Sequence, residues 1–147
     1  MIVWTCTPWR ELDRETLYDI LTLRQVVFAV EQDCAFLDTD GTDREAVHLC
    51  GHEAGELVAY ARLVPPTVKY VEPSIGRVVT HPKVRRTGAG RVLMAEAVAR
   101  CTVLFGGTIR IGAQKYLERF YGNFGFLVTG APYMEDGIEH IEMVRHA

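Results

Sequence analysis

The chain has 147 residues, of which 48% are hydrophobic and 24% are charged, a balance that is ordinary for one soluble globular domain. Its formal net charge of −3 argues against general nucleic-acid binding, which needs a basic surface. No apolar run is long enough to span a membrane, and the first residues lack a signal-peptide core. The sequence therefore predicts a single cytoplasmic domain over residues 1–147 with no nucleic-acid or membrane partner.

Cysteine and histidine positions predict no metal site. None of the four cysteines forms a C-x-x-C pair, so reduced and mostly buried thiols are expected at Cys6, Cys34, Cys50 and Cys101. His48 and His52 are four residues apart but lie in strand-like sequence, and the other histidines show no zinc spacing.

The first third of the chain predicts a strand, a helix and an acidic turn. Ile2–Thr5 has a strand-like pattern, and Asp13 fits the N-cap of a helix whose apolar residues recur at helical spacing as far as Phe28. The turn at residues 38–43 begins like a calcium loop with D-x-D-G, but the later ligand positions fail. It is either a solvated turn or part of a site for a cation.

A hairpin and a buried strand follow. Val47–Glu53 and Leu57–Val64 predict two antiparallel strands joined at Ala54-Gly55-Glu56. Residues 75–79 predict a short buried strand, and His81-Pro82 ends it because a residue before proline disfavours helical dihedrals.

A basic turn with two glycines, Lys83–Gly90, then opens into a helix. The first turn of a helix has unpaired N–H groups and partial positive charge, and glycine lets an anion approach them. Two interpretations remain open: a pyrophosphate cradle, and a tight turn that needs glycine whatever it binds. The sequence has no P-loop motif, and Leu93 replaces the third glycine of a dinucleotide fingerprint.

The last third predicts a parallel strand pair and a closing hairpin. The helix after Gly90 ends at Gly106-Gly107, and Thr108–Ala113 reads as a strand, which makes a right-handed βαβ unit. A second helix is expected over Lys115–Asn123, and the closing hairpin turns at Asp136-Gly137. The predicted fold class is α/β (α+β), a mixed and mainly antiparallel central sheet with one parallel pair and helices on both faces.

Two motifs in this order resemble the signatures of the GCN5-related N-acetyltransferase (GNAT) superfamily. Arg85, Gly88 and Gly90 match R/Q-x-x-G-x-G/A, and Tyr121 lies on a short helix just before Gly125-Phe126. The resemblance covers nearly the whole chain. The stretches LRQVVFAVEQ, DTDGTD and EDGIEH are similar to the ElaA-like branch of that superfamily.

This resemblance implies the GNAT fold, with acetyl-CoA as co-substrate lying where two central strands splay apart. It implies that main-chain groups of Val78, Val79 and Thr80 pair with the pantetheine arm. The expected pyrophosphate cradle is formed by Arg85, Arg86, Thr87, Gly88, Ala89 and Gly90. Gln114 stands where the family usually has an asparagine that contacts the cofactor arm.

The implied reaction is direct attack of a neutral amine on the thioester, which needs a base, oxyanion donors and an acid for the thiolate. Tyr121 is the predicted acid, although it also fits a core aromatic residue, and the N–H of Val79 or its neighbour is the predicted oxyanion donor. Glu31 and His48 are the other predicted catalytic residues. The base stays open among four side chains: Glu31, Asp40, His48 and His140.

The predicted function is an acetyl-CoA-dependent N-acetyltransferase acting on a small-molecule or peptide amine, as a monomer or a homodimer. The alternatives are an acyl-CoA-binding sensor on the same fold and a nucleotide-binding module that uses the same glycine turn. Arg24 has two possible roles, reaching water or a carboxylate at the edge of the core, or lining the acceptor site.

Overall fold

The computed structural model describes residues 1–147 and contains two antiparallel sheets. The first sheet has the order β1-β2-β3-β4, formed by Val3–Pro8, Val47–Glu53, Glu56–Val64 and Ser74–Thr80. In the second sheet β8 lies between β5 and β6 and also pairs with β7; these strands are β5 Ile109–Gln114, β6 Leu127–Val128, β7 Tyr133–Glu135 and β8 Ile138–Arg145. The helices are α1 Arg14–Arg24, α2 Ala89–Phe105 and α3 Glu118–Gly122.

Helix α1 begins as predicted and changes its hydrogen bonding before it ends. The Asp13 carboxylate accepts the Thr16 N–H at 2.7 Å, which confirms the N-cap. After Arg24 the chain continues as a π-helical segment, Gln25–Glu31, rather than as the regular helix predicted to Phe28. Such segments are often found at functional sites, and this one forms a wall of the cavity described below.

The core lies on both faces of the first sheet because side chains alternate along β3. Ala59, Ala61 and Leu63 face α2, in the cluster that also contains Leu93, Met94 and Ala97 of that helix. Tyr60 points to the other face and packs with α1. The prediction of helices on both faces of the sheet is therefore confirmed.

Both predicted hairpin turns form with left-handed central residues. Ala54 and Gly55 have φ values of 51° and 81°, and Asp136 and Gly137 have 50° and 76°. Two successive positive φ values give the turn that matches the twist of paired strands. The second turn places β7 and the start of β8 at the edge of the cavity.

The predicted parallel strand pair is not present as a hydrogen-bonded ladder. All strand ladders are antiparallel, and β4 and β5 belong to different sheets, although the Arg110 N–H donates to the Pro73 carbonyl at 3.0 Å. A β-bulge in β4 contributes to this separation: Arg77 and Val78 face only Ala61, and Arg77 has a φ of 49°. Because a bulge bends and twists its strand, β4 diverges from β5 and a cleft opens between the sheets.

Candidate active site

A cavity of about 390 Å³ lies between the two sheets. Its walls come from four parts of the chain: the π segment, β4, the β5–α3 region and the β7–β8 hairpin. The predicted site residues that line it are Glu31, Val78, Val79, Thr80, Arg85, Gln114, Tyr121 and His140. Residues more than 100 positions apart in sequence thus face one space.

The glycine turn contributes Arg85 to the lining of this cavity, and its residues from Arg86 to Gly90 lie outside the lining, where Gly88 is open to solvent. Gly88 has a φ of +87° and is the N-cap of α2, and a Cβ placed on Gly88 or Gly90 would meet no atom within 4 Å. Arg86 and Thr87 are exposed, while the Ala89 side chain is buried against Val58 and Val84. The open main chain at the start of a 17-residue helix fits an anionic group. The residues present therefore fit the pyrophosphate of coenzyme A.

Arg85 reaches from this turn to the π segment. Its Nη1 and Nη2 atoms donate to the two carboxylate oxygens of Glu31, both at 2.7 Å. These hydrogen bonds lower the pKa of Glu31, so the carboxylate is charged and already paired at neutral pH. Glu31 thus lines the cavity at the point where Arg85 of the glycine turn reaches it.

A second contact crosses the cavity beside the first. The Gln114 side-chain amide donates to Oε1 of Gln32 at 3.3 Å. Gln114 lies at the end of β5, and Gln32 immediately follows the π segment. The Glu31–Arg85 and Gln32–Gln114 contacts therefore both tie the end of the π segment to the opposite wall.

Tyr121 faces the cavity from α3 with a hydroxyl group that makes no hydrogen bond within the chain. Its ring is only 8% exposed and packs edge-on against Phe120 and Phe126. Burial raises the pKa of Tyr121 because it disfavours the phenolate. The side chain is held as a neutral hydroxyl donor facing the space between the sheets.

His140 lies on β8, where it pairs with Gln114 of β5, and its side chain lines the cavity from the second sheet. Its side chain is buried, its ring stacks on Tyr133 with centroids 5.8 Å apart, and Nδ1 is 2.8 Å from the Ile138 carbonyl oxygen. Nε2 is 3.6 Å from Oε2 of Glu135. The ring is therefore fixed in position, with Nε2 directed to a carboxylate at the edge of the cavity.

The structure does not bring His48 to the cavity. The ring is fully buried under the first sheet, where Nδ1 lies 2.6 Å from the Tyr60 hydroxyl and Nε2 lies 2.9 Å from the Asp43 carbonyl oxygen. Burial lowers the pKa of His48. Because both nitrogens are engaged and neither faces the cavity, the predicted catalytic role of His48 has no geometric support.

The acidic turn is neither solvated nor free to attract a cation. Its three aspartates pair with three arginines: Arg24 with Asp38 and Asp43, Arg62 with Asp40 and Asp43, and Arg77 with Asp38 and Asp40. Burial acts to raise the pKa of Asp40, but hydrogen bonds from Arg62 outweigh it and hold that pKa well below its usual range. The carboxylate of Asp40 is thus committed to this network.

Arg24 takes the first of its two predicted roles in that network. Its guanidinium group is fully buried and donates to the carboxylates of Asp38 at 2.8 Å and Asp43 at 2.7 Å, away from the cavity. Arg77, which the sequence reading missed, lines the cavity with Phe36, and its guanidinium carbon lies 5.6 Å from the Phe36 ring centroid.

Other lining residues had no role assigned from the sequence, although Glu135 lies in the stretch EDGIEH. Lys69 comes from the connection before β4, and Glu135 comes from β7. Cys34 donates its thiol to the Asp136 carbonyl at 3.0 Å, which joins the loop after the π segment to the β7–β8 turn. The four cysteines are free thiols.

The structure contains no group of three or more His, Cys, Asp or Glu side chains arranged to hold a metal ion. None of its helices has both the length and the apolarity that crossing a bilayer requires.

Known proteins have this fold and can be aligned with nearly the whole chain. A family model described as an acetyltransferase (GNAT) domain matches residues 35–147. Protein ElaA of Escherichia coli is 38% identical over 99% of this chain and 97% of its own length, and its crystal structure has a TM-score of 0.93, covering 99% of this chain and 100% of that chain. An acyl-CoA N-acyltransferase from Pseudomonas aeruginosa has the same TM-score at 36% identity, covering 99% of each chain.

The split sheet, the open glycine turn and these matches define an acyltransferase that takes its acyl group from an acyl-CoA. The chain belongs to the GNAT acetyltransferase family, and its relatives in that family include ElaA. The family resemblance is therefore confirmed, and so is the predicted fold apart from its parallel strand pair.

Proposed function

We propose that this protein transfers an acetyl group from acetyl-CoA to an amine by direct attack of the amine on the thioester. The observation that carries this proposal is the position of two groups along one cavity. Arg85 and the glycine turn form an anion site at one end, and the Tyr121 hydroxyl faces the space between the sheets without a partner.

Main-chain groups would hold the co-substrate along the cavity. Strand β4 is an edge strand, so part of its backbone faces the cleft without a ladder partner, and Val78, Val79 and Thr80 line that edge. The N–H groups from Gly88 to Gly90 receive the pyrophosphate, supported by Arg85 and the neighbouring Arg86. Gln114 contacts the pantetheine arm of the co-substrate after the hydrogen bond between its amide and Gln32 breaks.

The chain supplies donors for the two charges that develop during acyl transfer. The N–H of Val79 or its neighbour stabilises the oxyanion of the tetrahedral intermediate, and Tyr121 gives a proton to the departing thiolate sulfur. Burial keeps Tyr121 protonated, so it is in the correct state for this role.

The acceptor is a small-molecule or peptide amine that enters beside the β7–β8 hairpin. Glu135 and Asp136 lie at that end of the cavity, and their negative charge favours a protonated amine over a neutral or anionic molecule. An acyl-CoA-binding sensor would share the co-substrate site and lack turnover.

Thermal unfolding with and without acetyl-CoA tests the first half of the proposal. Binding to the folded state raises the melting temperature by linkage, so a clear rise is expected with acetyl-CoA and none with ATP at the same concentration. Release of free CoA thiol on addition of primary amines tests the second half. Binding without amine-dependent thiol release would favour the sensor, and no thermal shift would overturn both.

A further inference from the structure

We propose that His140 removes the proton from a cationic acceptor amine and that Glu135 holds the ammonium against it. This inference rests on the proposed function. It identifies the group that accepts the proton, and it specifies that the acceptor binds as a protonated amine. His140 is the remaining base candidate because Glu31 is paired with Arg85, Asp40 with Arg62, and His48 lies outside the cavity.

The hydrogen bond at Nδ1 decides which nitrogen can accept a proton. A carbonyl oxygen can only accept a hydrogen bond, so Nδ1 must carry a hydrogen to bond the Ile138 carbonyl at 2.8 Å. In the neutral imidazole, Nε2 then has a free lone pair. The Tyr133 ring stacked on the imidazole keeps it in this orientation.

The space between Nε2 of His140 and the Glu135 carboxylate can accept a hydrogen-bond donor. At 3.6 Å, the Nε2 lone pair and a carboxylate oxygen are two acceptors that face each other with no hydrogen between them. A protonated amine brings three N–H donors and a positive charge, so it can bond both groups at once. A neutral or anionic acceptor satisfies neither requirement.

The charged and titratable groups around His140 support this role. Lys69 and Asp136 line the same cavity, and Tyr133 and Glu135 come from β7. Lys69 and Glu135 attract each other without a direct ion pair, and the Glu135 side chain is 50% exposed, so its carboxylate can receive the acceptor. Gln114, opposite His140 on β5, points its amide to Gln32.

The proton and electron movements balance. The ammonium gives one proton to Nε2 of His140 and becomes a neutral amine, whose lone pair forms the new C–N bond. The C–S bond breaks with its electron pair on sulfur, and Tyr121 protonates that sulfur. The second proton lost by nitrogen restores the Tyr121 hydroxyl, and the His140 imidazolium returns its proton to solvent after the products leave.

Two substitutions at His140 separate catalysis from structure. In His140→Asn the amide nitrogen can keep the donor to the Ile138 carbonyl, while the acceptor at Nε2 is lost. In His140→Gln a polar group remains near the Nε2 position but cannot act as a base. His146→Gln, at the exposed carboxyl terminus, is the matched control.

The probes are ethylamine, which is protonated at neutral pH, and trifluoroethylamine, which is largely neutral. With ethylamine we expect kcat/KM to fall about 10²–10⁴-fold in both His140 variants, the usual range for loss of a general base. With trifluoroethylamine the loss is expected to be about tenfold or less, because no ammonium has to be deprotonated. Glu135→Gln should raise KM for ethylamine alone.

The pH profile provides a readout that a structural role would not change. In the parent protein, kcat/KM for ethylamine should rise with pH and then level off, because a base in the site takes the proton from the ammonium. In His140→Asn it should keep rising about tenfold per pH unit, because only amine deprotonated by solvent reacts. Equal losses with both amines, or an unchanged profile, would overturn the role of His140.

Acetyl-CoA binding distinguishes failure of this inference from failure of the proposed function. The thermal shift with acetyl-CoA should be the same in the parent and in both His140 variants. A parent protein with no shift would refute the acyltransferase site itself. If His140→Asn turned over as fast as the parent, the acyltransferase site would stand and the role of His140 as the base would be refuted. Binding of acetyl-CoA with no turnover of either amine would refute that role as well.

Discussion

The guanidinium group of Arg85 is bound in a two-point contact to the carboxylate of Glu31, 54 residues earlier in the chain. Arg85 belongs to the glycine turn, and Glu31 is the last residue of the π segment. The arginine expected to receive a phosphate is thus already neutralised by a carboxylate. The pair links the π segment to the glycine turn, and Arg85 would have to release Glu31 before it could bind a phosphate.

Replacement of Glu31 by glutamine should tighten CoA binding. It removes the charge that competes for Arg85, and the expected gain is about two- to fivefold in Kd, the scale of an exposed ion pair. Titration calorimetry at low salt measures the effect. The matched control is Glu56→Gln, which breaks the exposed Lys83–Glu56 pair outside the cavity and should leave Kd unchanged. Weaker binding in Glu31→Gln would mean that Glu31 supports the site.

Replacement of Tyr121 by phenylalanine should slow acyl transfer without disturbing the fold. The hydroxyl group has no hydrogen-bond partner in the chain, so its loss leaves the melting temperature and the affinity for acetyl-CoA unchanged. We expect kcat to fall about 10²-fold, the lower end of the range for general acid catalysis, because a CoA thiolate is a moderate leaving group. Tyr116→Phe, an exposed residue beside the same cavity, is the control. Full activity in Tyr121→Phe would remove Tyr121 from the mechanism.

Replacement of Gly90 by aspartate should weaken co-substrate binding while the protein stays folded. The glycine lies in the first turn of α2 with open space at its Cβ position, and a carboxylate is favourable near the N-terminus of a helix. The same carboxylate repels a phosphate at the N–H groups of this turn. We expect Kd for CoA to rise about 10–100-fold, the cost of a lost charged hydrogen bond.

Urea unfolding and calorimetry on the same samples separate stability from binding in Gly90→Asp. Gly122→Asp, at the end of α3 where a Cβ also meets nothing, is the control and should leave CoA binding unchanged. Unchanged CoA affinity in Gly90→Asp would place the phosphates elsewhere.

Acidification should destabilise the protein in two stages. Burial lowers the pKa of His48 below its usual value near 6.5, so the unfolded chain takes up this proton first, and stability falls as the pH drops below about 6.5. The pKa values of Asp40 and Asp43 are also lowered, although burial opposes this, because Arg62 and Arg24 bond them. Their contribution is present above about pH 4 and is lost below it.

The free energy of urea unfolding, measured from pH 7 to pH 3, checks the order of these losses. His48→Gln should be less stable at pH 7 and should lack the first decline, whereas His146→Gln at the exposed terminus should retain it. A first decline that persists in His48→Gln would assign it to another group.

The sequence alone determined the local features on which the site depends. The N-cap at Asp13, the turns at Gly55 and Gly137, and the open turn at Gly88 each follow from the residues within a few positions of one another. Backbone dihedrals and helix ends respond to such short-range chemistry, so single residues predict them well. The family motifs belong to the same class of local signal.

Only the tertiary structure decided which side chains meet across the cavity. Gln32 and Gln114 are 82 residues apart, and Arg24 finds its aspartates in a loop that the sequence left as either solvated or cation-binding. The bulge at Arg77 separates β4 from β5, where the βαβ pattern had predicted a parallel ladder. Side-chain pairing and sheet separation depend on packing between distant segments. For that reason the sequence left four candidates for the base. In the structure His48 lies outside the cavity, and His140 lies in it beside Glu135.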